Sequence, residues 1–293
     1  MIQKERLIGW LSLLGSALCF YLATVIISWG RPYVRVDSSF YVLARFLFGL
    51  VLVSATLIAE RRLPRCHNAH AIAGRAFTNA VAVLCFYKAV EVSTVASANI
   101  LNMTYPIFVA ILSWFTLRKQ RDIPAIGIVA ISTLGIWLIL KPDPTTAGGN
   151  DIWGLLSGIF AAFSMIYLTM CRRQHDSTTI LFYVFILGSM LMLPLMARSL
   201  FIPNLTEIFF LTTCSLAGVL GQYLLTYGFL FVTAVEGSVI SSSRILIAAL
   251  LGPVLVADPP LSWTGWLGAL LIFGANVALA LRKPQVPNAQ PDH

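Results

Sequence analysis

Charged side chains are scarce in this sequence: 11% of 293 residues, beside 58% hydrophobic. A soluble domain carries about 25%, because its surface must face water. A soluble globular fold is therefore excluded, and a chain solvated by lipid takes its place. Long polar stretches are missing too. The two longest, at 61–72 and 141–151, are too short for a soluble insert. The apolar runs contain no histidine and no pair of carboxylates. That removes the acid, base and ligands an intramembrane hydrolase, protease or metalloenzyme needs, and the group on which a proton-coupled carrier usually holds its proton. There is no G-x-x-x-x-G-K-[ST] loop to bind ATP. The five cysteines form no pair at metal or redox spacing, and most fall inside apolar runs, as small packing residues do. Cys66-His67-x-x-His70 comes nearest to a metal motif but lacks a fourth ligand. The net charge of +8 is accompanied by no base-reading or stacking pattern. Catalytic residues, metal, cofactor and nucleic acid are accordingly not expected.

What is present is apolar length. Ten stretches bounded by charge, Pro or Gly fall at 7–29, 39–59, 73–90, 94–117, 123–140, 152–171, 178–200, 207–231, 234–256 and 262–281. Each approaches the ~20 residues that cross a ~30 Å hydrocarbon core as a helix. The first follows Lys4 and Arg6, outruns a signal-peptide core and lacks an A-x-A-like cleavage site, so it is expected to persist as a helix. With the N-terminus inside, thirteen Lys and Arg fall in cytoplasmic loops, among them Arg61, Arg65, Arg75 and Arg172. Four (Arg31, Arg35, Lys141 and Arg198) fall outside. That asymmetry is the positive-inside pattern, and it predicts a multi-pass protein of a bacterial inner membrane with both termini cytoplasmic. All seven tryptophans lie near segment ends, as an interfacial belt requires.

The chain also repeats itself. Residues 9–17 resemble 154–162; Tyr87, Val92 and Val95 fall on Tyr227, Val232 and Val235; Gly135 with Lys141-Pro142 echoes Gly274 with Lys283-Pro284. This divides the chain into 1–146 and 147–293, five helices each. Because five is odd, the second unit enters from the opposite side, giving the inverted-topology repeat of secondary transporters. The fold class expected is all-α integral membrane, ten helices in two inverted repeats.

Two five-helix halves, an early arginine in the second segment (Val42-Leu43-Ala44-Arg45-Phe46), Tyr105-Pro106-Ile107-Phe108 in the fourth, and Gly-rich fifth and tenth segments resemble the drug/metabolite transporter superfamily, EamA type. The resemblance spans nearly the whole chain. It implies a cavity between the halves, lined chiefly by the first, third, fourth, sixth, eighth and ninth segments, with the fifth and tenth peripheral. It also favours export. The acidic residue common after the fourth and ninth helices of such proteins is absent from Leu117-Arg118-Lys119, and only Asp258 follows the ninth.

Buried charge is the sharpest pointer to a site, because it costs several kcal/mol unless paired or hydrated. Arg244 lies about ten residues into its segment, ~15 Å deep at 1.5 Å per residue. No Asp or Glu sits at that depth, and Glu236 is two turns away. Arg244 needs an anionic cargo, water, or the carbonyls of an unwound helix end. Arg45 is ~9 Å deep, within snorkelling reach. Lys88 and Glu91, at i and i+3, predict a local ion pair. Asn99, Asn102 and Pro106 share a face of the fourth segment; Ser238, Ser241, Ser242 and Ser243, followed by Gly252-Pro253, mark its counterpart. Paired polar, breakable helices point to a central site, though Asn and Ser also hold helices together. Tyr105, Gln222, Tyr223, Tyr227, Asn79, Tyr87 and Tyr21 are further candidates for its wall, and Pro106, Gly252 and Pro253 for its gate. The expected function is alternating-access transport of a small amino-acid-like, nucleotide-like or organic-acid metabolite, by export or exchange, as a monomer or homodimer. The alternatives are an uptake carrier, a membrane-embedded enzyme and a non-transporting scaffold.

Overall fold

The structure is a computed structural model that describes residues 2–116, 123–140, 151–172, 174–196, 201–231 and 234–281. These form eleven α-helices and no strand: α1 (Ile2–Gly30), α2 (Ser38–Ala59), α3 (Ala69–Val92), α4 (Val95–Asn102), α5 (Tyr105–Thr116), α6 (Ile123–Leu140), α7 (Ile152–Cys171), α8 (Ser177–Met196), α9 (Leu205–Gly228), α10 (Ala234–Leu255) and α11 (Trp263–Leu281). In lipid every backbone group must be satisfied within the chain, and helices do this locally. Their starts are fixed by polar caps. Asp37 accepts from Phe40 N, Asn68 from Ala71 N and Thr94 from Ser97 N, while Asn204 and Glu207 form a capping box.

Five helical stretches, at Arg6–Gly30, Ser38–Ala59, Ala69–Val92, Ser177–Met196 and Leu205–Gly228, are long and apolar enough to cross a membrane. Five shorter apolar stretches accompany them. Two expectations need correcting. The fourth apolar segment is not one helix but two, broken at Met103–Thr104. And α3 starts just after its Asn68 cap, four residues before the apolar run begins, so Arg75, counted with the cytoplasmic loop at the edge of that run, lies six residues inside a helix. The inside count falls from thirteen to twelve. The basic residues Arg118, Lys119, Arg121, Lys141, Arg173, Arg198, Arg282 and Lys283 lie outside the described residues.

Packing is most extensive between the halves. The broadest contacts join α3 to α7, α1 to α9, α6 to α11 and α2 to α8. Exchanging each helix for its repeat partner turns α3–α7 into α9–α1 and returns α2–α8 and α6–α11 to themselves, so the arrangement has pseudo-two-fold character. Tyr21, Phe46, Tyr87, Phe185 and Met192 form the main buried cluster. Leu11, Val51, Ile58, Leu220, Leu250 and Val254 point outward, an apolar surface suited to lipid. At the α6–α11 contact a Cβ on Gly135 would meet Gly268 O at 2.9 Å, and one on Gly268 would meet Gly135 O at 2.6 Å. Only glycine lets backbones approach so closely.

Both ends of the bundle are tied across the halves. At one end Asp258 accepts from Ala96 N at 3.1 Å, Trp29 Nε1 donates to Leu255 O at 2.6 Å, and Ser93 bonds Asp151. Burial pushes the Asp258 carboxyl above its ordinary range. At the other end His67 N donates to His175 Nε2 at 2.9 Å, and Arg62 lies 3.6 Å from Asp176. Along the Cys66–His70 motif, Cys66 is exposed and the His70 ring meets Tyr167 edge-on.

Candidate functional site

Three helices turn one face each, of mixed polar and apolar residues, toward a common space. On α3 the face runs Arg75, Asn79, Val83, Phe86, at helical spacing; on α1 it is Ser16, Ala17, Phe20; on α10 it is Ser241 and Arg244. These faces, with Arg45 from α2, Asn102 from α4, Met103 from the break that follows it, Tyr105 from α5, Ser164 from α7 and Gln222 from α9, enclose a cavity of about 110 Å³. One water needs roughly 10–15 Å³ on that measure, so several waters or a small metabolite fit. Among the described residues, α6, α8 and α11 contribute nothing to the wall.

The cavity holds three arginines, each 3–4% exposed. Arg244 Nη2 donates to Asn102 Oδ1, and Asn102 Nδ2 in turn donates to Ser157 Oγ at 2.9 Å. Arg45 Nη1 donates to the Tyr87 hydroxyl at 3.1 Å and Nη2 reaches Gln222 Oε1 at 3.5 Å. Arg75 Nη1 donates to Ser164 Oγ. Every acceptor is neutral. The described ion pairs lie elsewhere, Arg62 with Glu60 and Asp176, and Lys88 with Glu91 at 3.0 Å as its spacing predicts. The Nε groups of all three arginines are buried without a partner among the described residues.

Aromatic rings supply what carboxylates do not. The Arg244 Cζ lies 5.2 Å from the Phe86 centroid and 5.6 Å from that of Phe20; Arg45 Cζ is 5.3 Å from Phe20 as well. The sum of the two Phe20 distances, about 11 Å, is the most that can separate these guanidinium carbons. At that limit and an effective dielectric of about 20 they repel by about 1.5 kcal/mol. Cation–π attraction of about 0.5–2 kcal/mol each offsets this. A buried anion would do so more completely.

Depth separates the three. Arg45 is seven residues from the start of α2 and Arg75 six from the start of α3, which enters from the opposite side. At 1.5 Å per residue they lie ~10 Å and ~9 Å from opposite ends. Arg244, ten residues into α10, sits ~15 Å deep between them.

A sequence profile now decides the family: that of the EamA-like transporter family matches residues 7–141 and again 149–281. The chain belongs to the EamA-like transporter family. It is an integral multi-pass membrane protein of a family of transporters, not enzymes. Among relatives, it is 27% identical over 218 residues to an uncharacterized transporter of Helicobacter pylori, covering 72% of this chain and 73% of that one. It is 26% identical over 211 residues to the pseudopaline exporter CntI of Pseudomonas aeruginosa, covering 71% and 74%. Human solute carrier family 35 member G1 is 25% identical over 227 residues, covering 71% of this chain and 61% of that one. A protein of known crystal structure superposes over 95% of this chain and 96% of its own, with TM-score 0.58 and 17% identity, a likeness of fold.

Of the residues singled out from sequence, Arg244, Arg45, Asn102, Asn79, Ser241, Tyr105 and Gln222 line this transporter's cavity. Tyr87 stands behind Arg45. Asn99 does not face the cavity: its Nδ2 donates to Thr24 Oγ1 at 3.0 Å and to Val95 O at 2.9 Å. Tyr223, Tyr21 and Tyr227 also lie off the wall, Tyr227 on the outer surface against Phe231. The side chains of Glu236 and Ser238 lie outside the described residues. Sequence reasoning missed Arg75, Phe20 and Ser164.

The helix break lies at the Met103–Thr104 turn, ahead of the gate candidate Pro106. Pro106 is the second residue of α5, where its missing N–H would have no helical partner. Thr104 Oγ1 donates to Leu101 O at 2.6 Å, and Asn276 Nδ2, from α11, satisfies Met103 O at 2.9 Å. The counterpart α10 is unbroken to Leu255, with Pro253 in its last turn and Gly252 beside it. Pro106→Ala should therefore cost well under 1 kcal/mol, since no bond is freed for it to restore. Asn276→Leu should cost about 1–3 kcal/mol by orphaning the Met103 carbonyl. Thermal melts of the two variants check the order.

Proposed function

We propose that this chain is a secondary carrier that moves a small metabolite bearing an anionic group across a bacterial inner membrane, by export or exchange. One observation carries the reading: three buried arginines line one cavity, and no described carboxylate neutralises any of them. A buried guanidinium is costly without an anion or water, and its planar fork suits a carboxylate or phosphate. Ten spans in two inverted five-helix halves, about 1–146 and 147–293, with Pro106, Gly252 and Pro253 near the moving parts, suit alternating access around that cavity. Among the described residues the wall includes no Asp, Glu or His, which favours exchange or facilitated diffusion over a proton relay. The pseudopaline exporter among the relatives supports the outward direction.

Purified protein in liposomes should carry anionic amino-acid-like, nucleotide-like or organic-acid metabolites, and should reject neutral analogues of equal size. Equal flux for the neutral analogues would sink the reading. Reporter fusions test the span count: those at Arg65, Arg121 and Arg173 should report cytoplasm, and those at Arg35, Asp143 and Asn204 the far side. A cytoplasmic signal at both Arg173 and Asn204 would mean that α8 does not cross.

A further inference from the structure

Arg45 and Arg244 come from different halves of the chain, yet both guanidinium groups lie over one ring, Phe20, at 5.3 and 5.6 Å. Each is nine-tenths or more buried, and each keeps an Nε without a partner among the described residues. Their other donors are occupied only by neutral acceptors: the Tyr87 hydroxyl and Gln222 Oε1 for Arg45, Asn102 Oδ1 for Arg244. Two like charges have been brought within about 11 Å of each other, with no fixed anion among the described residues to hold them there. A single carboxylate would neutralise one and leave the other exposed to the same desolvation cost.

Resting on the anionic-cargo reading, we infer that the cargo is at least a dianion. It carries two carboxylate or phosphate groups on a small skeleton, one taken by Arg45 and the other by Arg244, with the skeleton lying along Phe20. A flat apolar ring in reach of both cationic forks accepts a short carbon chain and gives no hydrogen bond to a polar one. Because the two forks belong to opposite halves, a dianion also bridges the halves, and a monoanion does not.

Binding of succinate, glutarate and citrate to the full-length purified protein, each beside its monomethyl ester and its fully amidated form, tests this by calorimetry and thermal shift. The free acids should bind on the order of tenfold or more tighter than their monoesters, since an ester removes one charge-assisted pair of hydrogen bonds. Arg45→Gln should bring that ratio close to one, chiefly by weakening the free acid. Arg45→Lys, which keeps the charge, should retain a ratio above one and guards against a folding artefact. Arg75→Gln removes the same charge from the same cavity without touching Phe20, and should weaken acid and monoester together. If none of the three acids binds more tightly than its monoester, or if Arg45→Gln leaves the ratio intact, the dianion inference is overturned while an anionic cargo stands. If the amides bind as well as the acids, the anionic reading beneath it falls as well.

Discussion

Replacing Arg244 with methionine should leave the protein folded and abolish recognition of an anionic cargo. Methionine fills the space between Phe20 and Phe86 without a charge to desolvate, and trading a buried charge for an apolar side chain is often neutral or stabilising by about 1–4 kcal/mol. Against that stands the orphaned Asn102 Oδ1, worth about 1–3 kcal/mol, though Asn102 keeps its bond to Ser157. The two terms nearly cancel, so the melting temperature should move little. Flux should not survive. Arg244→Lys keeps the charge but not the fork that meets a carboxylate bidentately, so affinity should fall with insertion preserved. An arginine serving structure alone would behave the other way, with both variants unstable and any folded remainder transporting normally. Normal flux in the methionine variant would remove Arg244 from the site.

The second large effect is expected at Gly158, which touches no cavity residue through a side chain of its own. A Cβ there would stand 2.6 Å from Thr104 Oγ1 and 2.9 Å from Leu101 O. Neither atom yields readily, since the hydroxyl is buried in its bond to that same carbonyl and the carbonyl is backbone. Gly158→Ala should therefore push α7 off the α4–α5 break at a cost of about 1–3 kcal/mol. It should also displace Asn102, and through it Arg244, lowering flux per folded molecule. Gly274→Ala is the control, because nothing lies within 4 Å of its Cβ position. A melt of Gly158→Ala matching that of Gly274→Ala would show that the break tolerates displacement.

Much of this was legible in the residues. Apolar length marked the helices, and a charge in the middle of an apolar run marked Arg244 and Arg45, because lipid leaves such a side chain few explanations. Arg75 escaped because hydropathy sees a boundary where apolar residues begin, whereas a helix begins where its cap sits, at Asn68. Tyr223 illustrates another limit. It follows Gln222 directly, and neighbours on a helix diverge by about 100°; here Gln222 reaches the wall and Tyr223 is turned off it. Asn99 and Asn102 share a face of α4, but a packed helix has different neighbours along its length; Thr24 meets the first and Arg244 the second. Phe20 carried no signal at all, since phenylalanine is ordinary in a membrane helix and its value lies in the two arginines that converge on it.

The interlocking of the halves has a consequence for how the protein is made. Helix α1 packs chiefly on α9, and α3 on α7. Leu205, where α9 begins, follows the end of α1 by 175 residues, roughly 10–35 s of synthesis at ~5–20 residues per second. As the first half emerges within that delay, Arg45 waits for Gln222 on α9, and Arg75 waits for Ser164 until α7 is made. The nascent first half is thus a polar, half-assembled intermediate that depends on lipid headgroups, the insertion machinery or a membrane chaperone. A ribosome stalled in the second half would leave a fragment marked for proteolysis rather than a working half-carrier.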